Sequence, residues 1–140
     1  MQLFGRKLKI NASVSKYAFF GWLTSTAFAF LKGAIYQLIY TSFNGRLVLA
    51  RGAVFASPKL IKISQLCRIG AFSIVRCYTK DGIVLGKNFS LGAYSSLSNG
   101  FNIFSSPGSL TIGDDVGIGE YAYICAVAPV IIGNDTIVGQ

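Results

Sequence analysis

Cys67, Cys77 and Cys125 are the soft nucleophiles of this chain, Asp114 and Asp115 are its adjacent carboxylates, and histidine is absent from all 140 residues. That inventory limits the chemistry. No imidazole is present to act as a base near neutral pH. The cysteines form no C-x-x-C pair, and their spacing gives no zinc site. An odd count without framework spacing fits a reducing compartment, so they read as small buried or half-buried residues. Cys125 would be the tempting nucleophile, but no base can be named near it. Asp114 and Asp115 read as a corner turn rather than an acid–base pair.

The elements that would position these groups follow a period of six. Aliphatic residues fall at Ile63, Ile69 and Val75, then at Leu85, Leu91 and Leu97, then at Ile112, Ile118 and Ile124, then at Ile132 and Val138. Neither a strand nor a helix asks for that period. Glycine follows seven of these eleven residues and never the third member of a triplet. Four residues after each aliphatic, the chain is small or β-branched at eight of ten places; Phe89 and Phe101 depart. An internal repeat of this kind predicts a solenoid. Each six-residue unit is a short strand plus a corner, and three units make a triangular turn. Like strands then stack in parallel about 4.8 Å apart. The aliphatic residue points inward, and glycine is expected to supply corner dihedrals that a Cβ would resist.

Steps between triplets are ten, fifteen and eight residues, so extra chain leaves at one corner only. The largest excursion contains the turn-forming segment FSSPGS, residues 104–109. Loops on one edge of a solenoid commonly build its binding face. An earlier, weaker turn is legible in Leu49, Ala53 and Phe55, and residues 47–62 are expected to cap the top.

The segments IGDDVG-IGEYAY-ICAVAP and IIGNDTIVGQ resemble the hexapeptide-repeat acyltransferases, more narrowly the bacterial O-acetyltransferases of the colanic acid and maltose acetyltransferase type. The resemblance covers about residues 47–140. It implies an all-β solenoid, a left-handed parallel β-helix, preceded here by an N-terminal apolar helical segment. It implies an acetyl-coenzyme A-dependent enzyme acting on a sugar or surface-polysaccharide precursor, with no metal, assembled as a homotrimer with clefts between subunits. Tyr121, Tyr123, Asn134 and Gln140 sit near where the family places its cleft; ordinary outward-facing polar or aromatic surface explains them better. The family's histidine base has no counterpart here, so no catalytic residue carries over. The resemblance therefore implies the N-terminal portion of such a transferase, inactive alone. A non-enzymatic β-helix scaffold or oligomerisation module at the membrane is the alternative. The γ-type carbonic anhydrases share the fold but need three histidine ligands, and are excluded.

Residues 1–46 differ in kind. Residues 1–80 hold twelve Lys or Arg and no acid, whereas residues 88–140 hold four acids and no base. The net charge is +8, and just over half of the chain is hydrophobic. A basic, greasy half points to an anionic membrane surface or a phosphate-bearing partner; a solvated basic face is the plainer reading. Nucleic acid is disfavoured, because the aromatics that could stack on bases lie in the apolar run. That run, YAFFGWLTSTAFAFL followed by Lys32 and GAIYQLIY, predicts a helix or helical hairpin over about residues 14–41. A span would bury Lys32 and the Thr24-Ser25-Thr26 cluster, and its flanks show no charge bias. The Ala27-Phe28-Ala29 triplet has the form of a signal-peptidase site, but the same polar cluster breaks the apolar core a signal needs. Two readings stand: a helix lying in the cytoplasmic leaflet, or one packing on the solenoid or a neighbouring subunit. The location implied is cytoplasmic, with or without attachment to the inner face of the bacterial plasma membrane.

Overall fold

The computed structural model describes residues 2–3, 6–7, 15–40, 45–104 and 107–139. Two short strands, β1 (Gln2–Leu3) and β2 (Arg6–Lys7), pair antiparallel, with Gln2 opposite Lys7. A single helix follows, α1 (Lys16–Ile39). The N-terminal segment is thus not wholly helical: its start pairs as strands, and α1 is one helix rather than a hairpin. No proline interrupts α1, and β-branched residues are sparse in it, as a long helix requires.

Thirteen short strands then wind as a parallel solenoid with three faces. Face one holds β5 (Ile61–Ile63), β8 (Ile83–Leu85), β11 (Leu110–Ile112) and β14 (Val130–Ile132). Face two holds β3 (Arg46–Leu49), β6 (Leu66–Ile69), β9 (Phe89–Leu91), β12 (Gly117–Ile118) and β15 (Ile137–Val138). Face three holds β4 (Val54–Ala56), β7 (Ile74–Arg76), β10 (Ser96–Ser98) and β13 (Tyr123–Cys125). The register is the one the six-residue period demands. Ile63, Leu85, Ile112 and Ile132 form one column. Ile69, Leu91, Ile118 and Val138 form the second, extended upward by Leu49. Val75, Leu97 and Ile124 form the third, extended by Phe55. The members down to Ile118 are buried together in one core, and Ile124, Ile132 and Val138 are partly buried against it. The weak early turn is therefore a full turn of β3, β4 and β5; it is α1, packed on β3, that covers it.

The corners revise the role expected of glycine. At the corners that follow faces one and two the left-handed backbone belongs to the third residue after the stacked aliphatic, not the first, with Leu66 after Ile63 the exception. Between faces one and two it is adopted by Asn88, Asp115 and Asp135, and between faces two and three by Phe72, Tyr94 and Tyr121, with φ between 52° and 57°. Gly52 takes the same place in the first turn, with φ 70°. The hydrogen bonds show why. Gly70 N–H donates to Leu91 O in the following turn, whereas Phe72 N–H donates to Arg51 O in the preceding one. The left-handed residue reverses the N–H, so the inter-turn ladder continues around the corner. The glycines serve close approach. A Cβ on Gly70 would sit 2.5 Å from Ala93 N, and one on Gly86 or Gly92 would overlap the backbone of Gly113 or Gly119 one turn on. On face three the strands run one residue past the stacked aliphatic, to Arg76, Ser98 and Cys125. That residue belongs to the strand, so glycine is not needed there.

Buried serines bond the turns together at the corner between faces two and three. Ser73 Oγ donates to Gly92 O at 2.7 Å and accepts from Ser95 N–H; Ser95 Oγ repeats the pattern with Gly119 O and Ala122 N–H. The extra residues do leave at one corner, between faces three and one, starting with a 3₁₀ turn at Pro58–Leu60. Asn99, wholly buried, holds the longest of these loops: its amide donates to Thr79 Oγ1 and Gly108 O, and its carbonyl accepts from Tyr78 N–H. Among the described residues no buried side-chain polar atom lacks a partner.

Candidate functional site

The concavity able to hold a ligand lies between α1 and the outer side of face two, with a cavity volume of about 840 Å³. Volumes of this order are usual for small-molecule sites. Its floor is the outward row Val48, Arg68, Ser90, Gly117 and Ile137, aligned by strand register. Its roof is one side of α1, carrying Trp22, Ser25, Thr26, Ala29 and Phe30. At one edge stands the corner ladder, where Asn88 Nδ2 donates to Asp115 Oδ1 at 2.9 Å. The helix is held over the sheet by close approach: a Cβ on Gly33 would overlap the Leu47 carbonyl. Lys32 Nζ adds a 2.7 Å hydrogen bond to Ala53 O.

The residues marked in the sequence lie elsewhere and at separate places. Tyr121 ends an aromatic ladder with Phe72 and Tyr94 at the corner between faces two and three, with ring centroids 5.4 and 5.2 Å apart and nearly parallel planes. Tyr123 lies on the outer side of face three, two residues from Cys125 in the same strand. The electrostatic influence of the neighbouring Cys125 side chain pushes the Tyr123 phenol above its usual pKa, with Arg76 pulling the other way. Asn134 lies at the corner between faces one and two, where its Oδ1 accepts from Asp114 N–H at 2.8 Å. Within one chain these side chains do not converge, and none of them lines the groove. Gln140 lies outside the described residues. Asp114 and Asp115 are corner residues, as expected: Asp114 Oδ1 accepts from Lys87 N–H at 2.7 Å.

The groove escaped the sequence reading for a definite reason. Its floor residues sit one before the face-two aliphatics, at 48, 68, 90, 117 and 137, so the repeat does place them in one row. Nothing periodic says that α1 overhangs that row rather than another. The loop edge expected to build a binding face contributes no residue to the groove.

The three thiols differ in access. Cys67 and Cys77 are buried and Cys125 is half-buried. Burial pushes the Cys67 thiol far up, and pushes Cys77 up against backbone hydrogen bonds that oppose the shift. A raised thiol pKa leaves little thiolate at pH 8, and the thiolate is the reacting form. Titration of the native protein with a thiol reagent at pH 8 is expected to modify Cys125 first, with Cys67 and Cys77 following only on unfolding. Three thiols reacting at one rate in the native state would contradict the burial.

The phosphates of coenzyme A need cations or a cradle of N–H donors. The turns after Lys87 carry Asp114, Asp115, Glu120 and Asp135 and no Lys or Arg, and the groove offers Arg68 beside Asp115. The groove and the turns after Lys87 do not fit the cofactor's phosphates. No protein family, curated protein or solved structure matches the chain. The class defined by fold is a parallel β-solenoid of six-residue register, roofed by an apolar helix.

Proposed function

We propose that this chain is the solenoid body of an acyltransferase that moves an acetyl group from acetyl-coenzyme A to a hydroxyl of a sugar or surface-polysaccharide precursor, working as a homotrimer. The observation that supports this reading is the three-column register at a period of six. It produces flat faces on which copies can pack and between which clefts can form. The 140 residues do not supply the whole reaction. An acceptor hydroxyl becomes a good nucleophile only when a positioned base takes its proton. Histidine is absent, and the Tyr123 phenol, raised by Cys125, stays protonated at neutral pH. The imidazole base that the resemblance implies has no counterpart among these residues.

In cells that make the protein, deleting its gene is expected to remove O-acetyl groups from the surface polysaccharide, read by proton NMR of the purified polymer, and re-expression should restore them. The purified chain alone, given acetyl-coenzyme A and a panel of sugars, is expected to release thiol at the background rate. A missing general base alone costs about 10²–10⁴-fold. Unchanged acetylation in the deletion strain would overturn the transferase reading. Brisk turnover by the chain alone would overturn the missing-base argument. A second reading, a non-enzymatic scaffold, is favoured by the lack of a phosphate cradle in the groove and in the turns after Lys87. It expects acetylation to survive the deletion.

A further inference from the structure

α1 is apolar on both sides. A helix on a soluble protein turns its apolar stripe inward and its polar side to water. Here Trp22, Ser25, Thr26, Ala29, Phe30 and Gly33 face the solenoid. Tyr17, Phe20, Phe28, Leu31, Ile35 and Leu38 recur at helical spacing on the opposite side. All six are exposed, Phe28 to 75% and Leu38 to 81%. The polar groups that argued against a span are accommodated in this orientation. Lys32 reaches back to Ala53 O. Thr24, on the outward side, spends its hydroxyl on the carbonyls of Phe20 and Gly21, both at 3.0 Å, and presents no unbonded donor. At 24 residues, about 36 Å, the stripe is long.

The end of the molecule that carries α1 is also its basic end. Arg46, Arg51 and Lys59 of the first turn are exposed, and no acid precedes Asp81 in the sequence. Lys62 is paired with Asp81 at 3.1 Å. The other carboxylates, Asp114, Asp115, Glu120 and Asp135, belong to the later turns, and Asp115 lines the groove under α1. A stripe of aromatic and aliphatic side chains beside cations without counter-charges matches an anionic bilayer surface. From this geometry we infer that α1 lies in the plane of a membrane, with the six-residue stripe among the acyl chains and the first-turn cations on anionic headgroups, while the side that carries Trp22, Ala29 and Gly33 stays on the solenoid. Packing on β3 keeps the helix from crossing the bilayer. The inference is independent of the acyltransferase reading.

The test is flotation of the full chain with vesicles of phosphatidylcholine alone or mixed with phosphatidylglycerol. Wild type should float with the mixed vesicles. The triple variant Phe28→Gln, Leu31→Gln, Leu38→Gln should lose binding by about a hundredfold or more, since each buried apolar side chain contributes roughly 1.5–3 kcal/mol. The variant Arg46→Gln, Arg51→Gln, Lys59→Gln should lose about tenfold to a hundredfold on mixed vesicles and little on neutral ones. All six positions are exposed, so circular dichroism and the thermal transition should not change, which separates lost binding from lost folding. Wild type remaining with the lipid-free fraction, or the apolar variant floating as well as wild type, would overturn the inference. So would an oligomer of wild type in lipid-free buffer that fails to float and that the apolar variant dissolves; the stripe would then be an interface between copies of the chain.

Discussion

Phe89→Ala is expected to cost the solenoid about 3–5 kcal/mol, the range for truncating a fully buried phenylalanine. Phe89 has no exposed surface and is among the largest wholly buried side chains. Register places it beside Cys67 in the turn above, and Ser90 N–H bonds to Val116 O in the turn below. Those smaller neighbours leave the room the ring fills, and β-strands bonded above and below cannot collapse into the void. Phe101 is the matched control. It holds the same place in the six-residue count, four after Leu97, yet it is 65% exposed. Phe101→Ala is expected to stay within about 0.5 kcal/mol of wild type. Urea titration followed by circular dichroism compares the two. Phe89→Leu, which keeps most of the volume, gives a measurable intermediate should the alanine variant not fold. Equal losses at 89 and 101 would mean that the repeat, not burial, sets the energetics.

Gly92→Ala is expected to destabilise the chain by about 3 kcal/mol, the upper end of the overpacking range. The added methyl would overlap the Gly119 carbonyl group and the Glu120 nitrogen, which are backbone and cannot swing aside. Relief requires prising two turns apart at a corner where Gly92 N–H bonds to Ile118 O at 2.7 Å. Gly133 occupies an equivalent place in the repeat, but a Cβ there meets nothing within 4 Å. Gly133→Ala in the same 140-residue chain should be nearly neutral, within about 0.5 kcal/mol. The pair separates two explanations for the glycine column. Were corner dihedrals the reason, both substitutions would cost alike. Thermal melts of both variants decide.

The solenoid was legible because its signal is repeated. Each aliphatic column is reported by three or more turns, so an exception such as Phe89 does not hide the period. The step lengths of ten, fifteen and eight located the single corner from which loops leave. The same periodicity misassigned the glycines. A repeat shows that glycine is required at a position without showing whether φ or a neighbour's backbone requires it. Phe72, Tyr94 and Tyr121 show the difficulty from the other side. Bulky residues seldom take left-handed φ, and nothing local marks these three. Stacking across turns, about 0.5–1.5 kcal/mol per pair, offsets part of the strain and exists only after the turns have closed.

The candidate site was less legible. Tyr121, Tyr123 and Asn134 were marked by resemblance to a family, and they lie at two corners and a face of one prism. The groove between α1 and face two rests instead on a contact between Gly33 and Leu47, two residues whose meeting has no period and no motif. The sequence by itself determined the three stacked columns, their register and the presence of a long apolar helix, because burial of an aliphatic side chain every sixth residue is satisfied by one local geometry repeated down the chain. Only the tertiary structure decided which side of that helix meets the solenoid. With apolar residues all around it, α1 has no amphipathic preference of its own. The fit of Ala29 and Gly33 against β3 sets its rotation, and that rotation turns Phe28, Leu31 and Leu38 outward.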